Sequence, residues 1–291
     1  MIWFFLIITA VFFIVFETVL EKRTLSSIGT LEFAAMFAFG NAIVLSPFLL
    51  VADLSQLNPT ILLLIYVASI VSTTTSLLIF KTMKHSALSE AAPILALLPL
   101  VVTLLAFLFL GEKVNLVQIF GLILIVVGIM FLEFKNFETG RGIFQKGRKR
   151  YILYILLCLL FGGLGAIFDR VLLFRLELNS LTYLAIIQIF IALNYLFFLS
   201  IKPKRFSSLK ISISDFWKII FLISLLTVAH RYLYASAIKL ATSIGLVVAV
   251  YKLSSLFNVF VGEKFFGEKD IVKKIIATLI ILSGVFLLVI N

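Results

Sequence analysis

The amino-acid sequence predicts an all-α membrane protein of ten transmembrane helices arranged as two inverted five-helix repeats. Three observations carry this expectation. Apolar runs of span length recur along the chain, the charges gather in short connectors, and the two halves share one register. Of the 291 residues, 63% are hydrophobic and 13% charged, against about half and about a quarter in soluble domains. A bilayer core takes about 20 apolar residues per helical span, and such runs fill most of the chain.

In order, the spans read 2–20, 31–52, 59–80, 86–110, 116–133, 151–169, 181–201, 215–238, 243–262 and 271–290. Turns are expected at Asn58-Pro59, Lys84-His85, the Gly140–Gly147 stretch and Lys202-Pro203, where proline, glycine and charge break the apolar pattern. Span 1 has no basic segment before it and no small-residue cleavage site after it, so it is read as retained. Pro93 and Pro99 each remove a backbone donor from span 4 and bend it. Gly162-Gly163 and Gly165 in span 6 read as close-packing positions. The longest polar connector, 134–150, separates a first repeat (1–133) from a second (151–291).

The net charge of +11 does not indicate nucleic acid. Its basic residues sit in connectors such as Lys146-Gly147-Arg148-Lys149-Arg150 and Lys202-Pro203-Lys204-Arg205. Those are membrane-flanking positions that orient spans and meet anionic headgroups. No segment between spans is long enough to fold a basic face. The expected partners are therefore the lipid bilayer and a small-molecule substrate, for a multi-pass protein of the cell membrane that is a monomer or a homodimer. Cys158 is the single cysteine, which leaves no disulfide within one chain.

Gly111-Glu112-Lys113 recurs twice, at 262–264 and at 267–269. An offset of 156 pairs it with the second copy, and also pairs Phe109 with Phe265, Ile119 with Ile275, Ile125 with Ile281 and Gly128 with Gly284. The rival offset of 151 would set Lys273 and Lys274 opposite Leu122 and Ile123, deep in an apolar span. Gly267 and Glu268 are thus the counterparts of Gly111 and Glu112. Five crossings per half reverse the direction of insertion, so the repeat is inverted. Inverted repeats around a midplane site are a common build of secondary transporters, because rocking one half against the other alternates access.

Ionisable residues within spans are costly and mark functional positions. Five stand out: Glu17, Glu90, His230, Arg231 and Lys252. At 1.5 Å per residue, Arg231 lies about 12 Å before the connector between spans 8 and 9, and Lys252 about 15 Å after it. The two cations therefore share a depth near the midplane. Glu17 and Glu90 each lie about 6 Å from the opposite face, where headgroup contact is the plainer reading. For His230 and Arg231 the plainer reading is a structural ion pair. The run Ser72, Thr73, Thr74, Thr75, Ser76 interrupts span 3, and the offset of 156 sets Thr74 and Thr75 on His230 and Arg231. Hydroxyls on membrane helices also commonly bond their own backbone.

There is no nucleophile elbow, P-loop or HExxH pattern, and the two histidines have no metal-ligand spacing. The chain is read as a non-enzyme without a metal or cofactor, a proton or another ion being the coupling species that transport would call for.

Ala91-Ala92-Pro93, Pro99, Gly111-Glu112-Lys113, Gly121 and Gly128, with Lys252-Leu253-Ser254-Ser255-Leu256-Phe257, Phe266-Gly267-Glu268-Lys269 and Gly284, give the chain its family likeness. It resembles the EamA-like branch of the drug/metabolite transporter superfamily. The resemblance implies a duplicated five-span unit and a secondary carrier, commonly an exporter of amino acids or related metabolites, including anionic ones. It further implies alternating access through a central cavity between the halves, lined by spans 3, 4, 8 and 9. Ser72 to Ser76, Glu90, His230, Arg231 and Lys252 would then face that cavity, and the Gly-Glu-Lys motifs would close turns, with Glu capping the following helix. Ala249 and Ser255 stand where the first half has Pro93 and Pro99. The alternative function is a membrane scaffold or receptor-like protein without transport.

Connectors 1–2, 3–4, 5–6, 7–8 and 9–10 hold most of the Lys and Arg, which predicts both termini on the outer side. A fluorescent reporter fused after Asn291 should stay dark and an exported phosphatase reporter should be active; the reverse pattern would overturn this orientation.

Overall fold

Ten α-helices, and no strand, occupy the described residues of this computed structural model, which are 2–85, 95–133, 149–201, 203–254, 257 and 271–290. They are α1 (Ile2–Ser27), α2 (Thr30–Leu45), α3 (Pro59–His85), α4 (Leu98–Leu110), α5 (Leu116–Glu133), α6 (Lys149–Arg170), α7 (Ser180–Ser200), α8 (Pro203–Leu240), α9 (Ile244–Tyr251) and α10 (Ile271–Ile290). Six segments within them are long and apolar enough to cross a membrane: Ile2–Ser27, Thr30–Leu50, Pro59–Thr82, Leu153–Arg175, Ser180–Ser200 and Ser214–Leu240. Shorter apolar helices cover Leu98–Leu110, Leu116–Phe131 and Ile276–Leu288.

Helix starts follow local chemistry. Asn58 accepts from the Ile61 N–H at 2.9 Å, with Pro59 beginning α3 where its missing N–H costs no bond. Asn179 accepts from the Leu181 and Thr182 N–H groups at the start of α7. Asn115 and Gln118 exchange side chain-to-backbone bonds at 2.7 and 3.1 Å, a capping box that starts α5.

Several boundaries differ from expectation. The helix α1 runs to Ser27 rather than stopping near residue 20, because Glu21 and Thr24 find buried positions inside the protein. No turn falls at Lys84-His85, which are the last residues of α3. With no Gly or Pro there, nothing breaks the backbone ladder where the sequence becomes polar. Pro203 opens α8 instead of lying in a loop, since a first-turn proline sacrifices no hydrogen bond. At the other end of span 2, Pro47 converts the last turn to a 3₁₀ segment, Ser46–Leu50. Most of the 134–150 connector lies outside the described residues.

In the packing scheme, α5 lies on α10, α1 on α8 and α9, α3 on α6 and α7, α2 on α7 and α8, and α4 on α6 and α9. Aromatic contacts bind α2 to α3, with Phe80 edge-on to Phe33 at 5.0 Å and to Phe37 at 5.7 Å. The α5–α10 pair is the tightest backbone contact. A β-carbon on Gly121 would meet the Gly284 carbonyl at 2.8 Å, and one on Gly284 would meet the Gly121 carbonyl at 2.7 Å. Further along, a β-carbon on Gly128 would meet the Ala277 carbonyl at 3.2 Å and Ile281 Cγ1 at 2.6 Å. As α5 rises from 121 to 128, its partner falls from 284 to 277, so the two helices are antiparallel.

A larger side chain at this crossing has nowhere to go. Gly121→Leu should destabilise the protein by about 1–3 kcal/mol, the usual cost of overpacking, and lower its unfolding midpoint in detergent. An unchanged midpoint would show that the α5–α10 contact is not close-packed.

Candidate functional site

Because α1 extends to Ser27, Glu17 stands ten residues inside its end, about 15 Å along the axis. It is 4% exposed rather than at a headgroup. Its Oε2 lies 2.6 Å from His230 Nε2, and Thr227 Oγ1 donates to its Oε1 at 2.7 Å. His230 Nδ1 is 2.9 Å from the Tyr251 hydroxyl. Which of Nδ1 and the Tyr251 hydroxyl donates follows the ring's tautomer. A continuous chain of polar contacts thus runs Thr227–Glu17–His230–Tyr251 across α8, α1 and α9. Thr227 Oγ1 also lies 2.8 Å from the Ile223 carbonyl. One hydroxyl hydrogen serves one acceptor at a time, so Thr227 can give its hydrogen to Glu17 or to the Ile223 carbonyl. Glu21, one turn along α1 and also buried, is near enough for its charge to act on Glu17.

A second group lies beside it. Arg231 Nη1 donates to Gln188 Oε1 at 3.2 Å, while Gln188 Nε2 donates to the Ala38 carbonyl at 3.1 Å. The Tyr183 hydroxyl donates to Asp169, whose carboxylate interacts with the charge on Arg231. The Tyr234 and Tyr251 rings stand 4.9 Å apart and join the two groups.

Lys252 follows Tyr251 directly, so it shares the depth of the His230–Arg231 pair. It caps the C-terminus of α9, with a turn separating it from the helical Leu253 and Ser254. The offset of 156 maps it to Ala96, where a turn at Ala96-Leu97 precedes α4. The helical path is therefore interrupted at both positions. Pro99, at the second position of α4, supplies a cause in the first half; no proline is needed in the second. The Lys252 side chain is half-buried, and the described group whose charge acts on it is the Cys158 thiol.

The hydroxyl run is placed differently. Thr73, Thr74 and Thr75 donate to the carbonyls of Ser69, Ile70 and Val71. Asn194 of α7 donates to Ser69 and Thr73, and Ser76 lies 2.7 Å from the Tyr195 hydroxyl. Thr73 and Ser76 are thus spent on the α3–α7 contact and do not meet His230 or Arg231, while Ser72 remains half-buried. Glu90, Pro93, Gly267 and Glu268 lie outside the described residues.

Gly111 ends α4 in the left-handed region, φ 66°, which a glycine adopts without strain. Glu112 does not cap the helix that follows it; Asn115 has that position. Its Oε2 instead accepts from the Ile244 N–H at 3.0 Å, at the start of α9, and its Oε1 accepts from Arg170 Nε at 2.5 Å. Arg170 is 1% exposed, donates also to the Ile238 and Thr242 carbonyls, and stacks 3.6 Å over the Phe174 ring.

Sequence reasoning singled out Glu17, His230, Arg231 and Lys252 but passed over Tyr183, Gln188, Thr227, Tyr234, Tyr251 and the pair Asp169-Arg170. The signal for that pair was an acid–base doublet at a span end, which reads first as interfacial.

Removing one member of a buried pair strands the other. Glu17→Ala should cost about 3–5 kcal/mol of stability. Adding His230→Phe should recover part of that loss in a double-mutant cycle, measured by chemical unfolding in detergent. Additive losses would show that the two residues do not interact.

Residues 1–134 match the model of the EamA-like transporter family. No curated protein matches the chain. A solved crystal structure, described only as that of a protein, aligns with a TM-score of 0.71 at 13% identity, covering 99% of this chain and 96% of that one. That likeness concerns the fold alone. The family is one of transporters, not enzymes. Residues 1–134 are thus similar to the EamA-like transporter family, and the apolar helices that run through the chain make it a multi-pass membrane protein.

Proposed function

We propose that this protein is a secondary active transporter of small metabolites, exporting amino acids or related anionic compounds by alternating access between two inverted five-helix halves, 1–133 and 151–291, joined by the basic connector 134–150. The observation that carries the reading is the placing of Glu17, Asp169, His230 and Arg231 within the helix packing, with Lys252 next in sequence to Tyr251, where a membrane protein keeps charge only for a purpose.

The packing scheme supports the inverted repeat. Exchanging α1–α5 with α6–α10 turns α1·α8 into α3·α6, α1·α9 into α4·α6 and α2·α8 into α3·α7, while α2·α7, α4·α9 and α5·α10 map onto themselves. The glycine contacts repeat the relation residue by residue: Gly284 against Ile125 is matched by Gly128 against Ile281, under the offset of 156.

Substrate chemistry follows from charge. Arg231 spends one of its donors on Gln188, and Lys252 has no carboxylate acting on it among the described residues. Both can donate to a carboxylate or phosphate, while Asp169 offers an acceptor for an ammonium group. A proton is the coupling ion that the Glu17–His230 pair could carry. Ser72 and Glu90 belong to the same pathway in this proposal, with Gly111, Glu112, Gly267 and Glu268 at its turns and Pro93 and Pro99 at its hinge.

Uptake into liposomes should detect transport of an anionic or zwitterionic compound first found by a thermal-shift screen, since specific binding stabilises the native state. Lys252→Ala and Arg231→Ala should each lower it at least about tenfold, the scale of one lost charge-assisted hydrogen bond. Unchanged uptake of an anionic substrate by both variants would defeat the substrate assignment. A screen in which nothing binds would favour a scaffold.

A further inference from the structure

On one face of the bundle, the connectors α2–α3, α4–α5, α6–α7 and α8–α9 are bonded to one another. Gln56 accepts from the Asn179 N–H at 2.9 Å, Arg175 donates to the Leu110 carbonyl, and Lys239 donates to the Leu178 carbonyl at 3.2 Å. At the centre, Glu112 joins Arg170 and the start of α9. Of these contacts, those of Gln56, Leu110 and Glu112 cross from residues 1–133 to residues 151–291.

We propose that Glu112 is a releasable latch: its carboxylate, shared between the Arg170 guanidinium and the Ile244 N–H, holds this face of the transporter shut and lets go when the face opens. The proposal rests on the transport reading given above. Arg170 and Glu112 are unequally placed, with side chains 1% and 12% exposed. When Glu112 leaves, Arg170 keeps the Ile238 and Thr242 carbonyls and remains anchored in its own half. The groups released on parting, the carboxylate, one guanidinium edge and the Ile244 N–H, would all be met by the water that an open face admits. In the joined state they satisfy one another. The pair therefore has a low-cost partner in either arrangement, which a bond between two fully buried groups lacks.

The backbone next to the latch also has means to move. Directly after Arg170 the helix widens into one π turn, Val171–Arg175, and Glu177 then takes φ 51° in the left-handed region. Such irregular helix ends absorb the dihedral changes of a hinge. The α5–α10 crossing offers no comparable release, because its backbones touch through glycine.

Spin labels at Leu116 and Leu240, exposed positions beside the α4–α5 and α8–α9 connectors, would report the separation across this face in a Cys158→Ala protein held in lipid nanodiscs. The parent protein should give a predominantly short distance. Glu112→Gln, which keeps the shape and removes the charge, should raise the ratio of long to short distances at least about tenfold. A distribution identical to that of the parent overturns the latch and makes the cluster a static staple. Should Glu112→Gln fail to fold, Arg170→Lys carries the same expectation and the same refutation, because Lys keeps the charge but not the three-way fork. Hydrogen exchange on the unmutated protein provides a check free of substitutions. Amides at 244–248 should exchange faster than those at 277–285, and equal protection counts against release. Distances need no transported compound. A shift without any transport would therefore refute the carrier reading alone, and transport with fixed distances would refute the latch alone.

Discussion

A polar group in the hydrocarbon core of a bilayer has only protein to bond to, and that constraint organises this molecule. Apolar side chains give the helices no strong reason to choose one neighbour over another, since lipid tails are as apolar as leucine. The choices are made where polar groups or bare backbone must meet. Glu17 selects α8 through Thr227 and His230. Asn194 and Tyr195 fix α7 against the hydroxyls of α3. Arg170 gathers the ends of α4 and α8 and the start of α9 around one guanidinium. Between α5 and α10, glycines let the backbones themselves touch.

This logic separates two kinds of intramembrane polarity. The run from Thr73 to Ser76 is consumed by packing, with hydroxyls donating to the preceding turn and the remaining capacity taken by α7. Arg231, Asp169 and Lys252 remain half-buried, with bonding capacity beyond what their described neighbours use. Polar residues inside the helix packing thus carry different duties.

The fold class was legible because membrane solvation writes it directly into composition: long apolar runs, sparse charge, and Lys and Arg in the gaps. Gly111 and Gly128 stood out as well, and they are positions where a side chain has a backbone cost or a steric one. Helix ends were less legible. Residues after Leu20 look like a polar loop in sequence, yet Glu21 and Thr24 continue α1 because neighbours bury them. For the site, a charge inside a span announces itself, whereas its partners need not. Glu17, His230, Arg231 and Lys252 stand out in any apolar run; Tyr183, Gln188, Thr227, Tyr234 and Tyr251 do not, because tyrosine, threonine and glutamine are tolerated at many depths. The role of Glu112 was hidden for another reason. Its partner Arg170 is 58 residues away, and a turn motif read locally suggests a local cap.

The placement of Arg170 bears on how such a protein can be stable and still move. A buried cation with four separate contacts is costly to strand, yet three of those contacts (Ile238, Thr242 and Phe174) lie within residues 151–291 and travel with it. Only the contact to Glu112 crosses to the other half. The desolvation of the guanidinium is thus compensated largely from within residues 151–291, and its one bond to residues 1–133 is to a carboxylate with partial access to water. Unfolding would expose every contact of this cluster, whereas parting from Glu112 would cost Arg170 only one of them. Global stability and local mobility are then set by different bonds to the same residue.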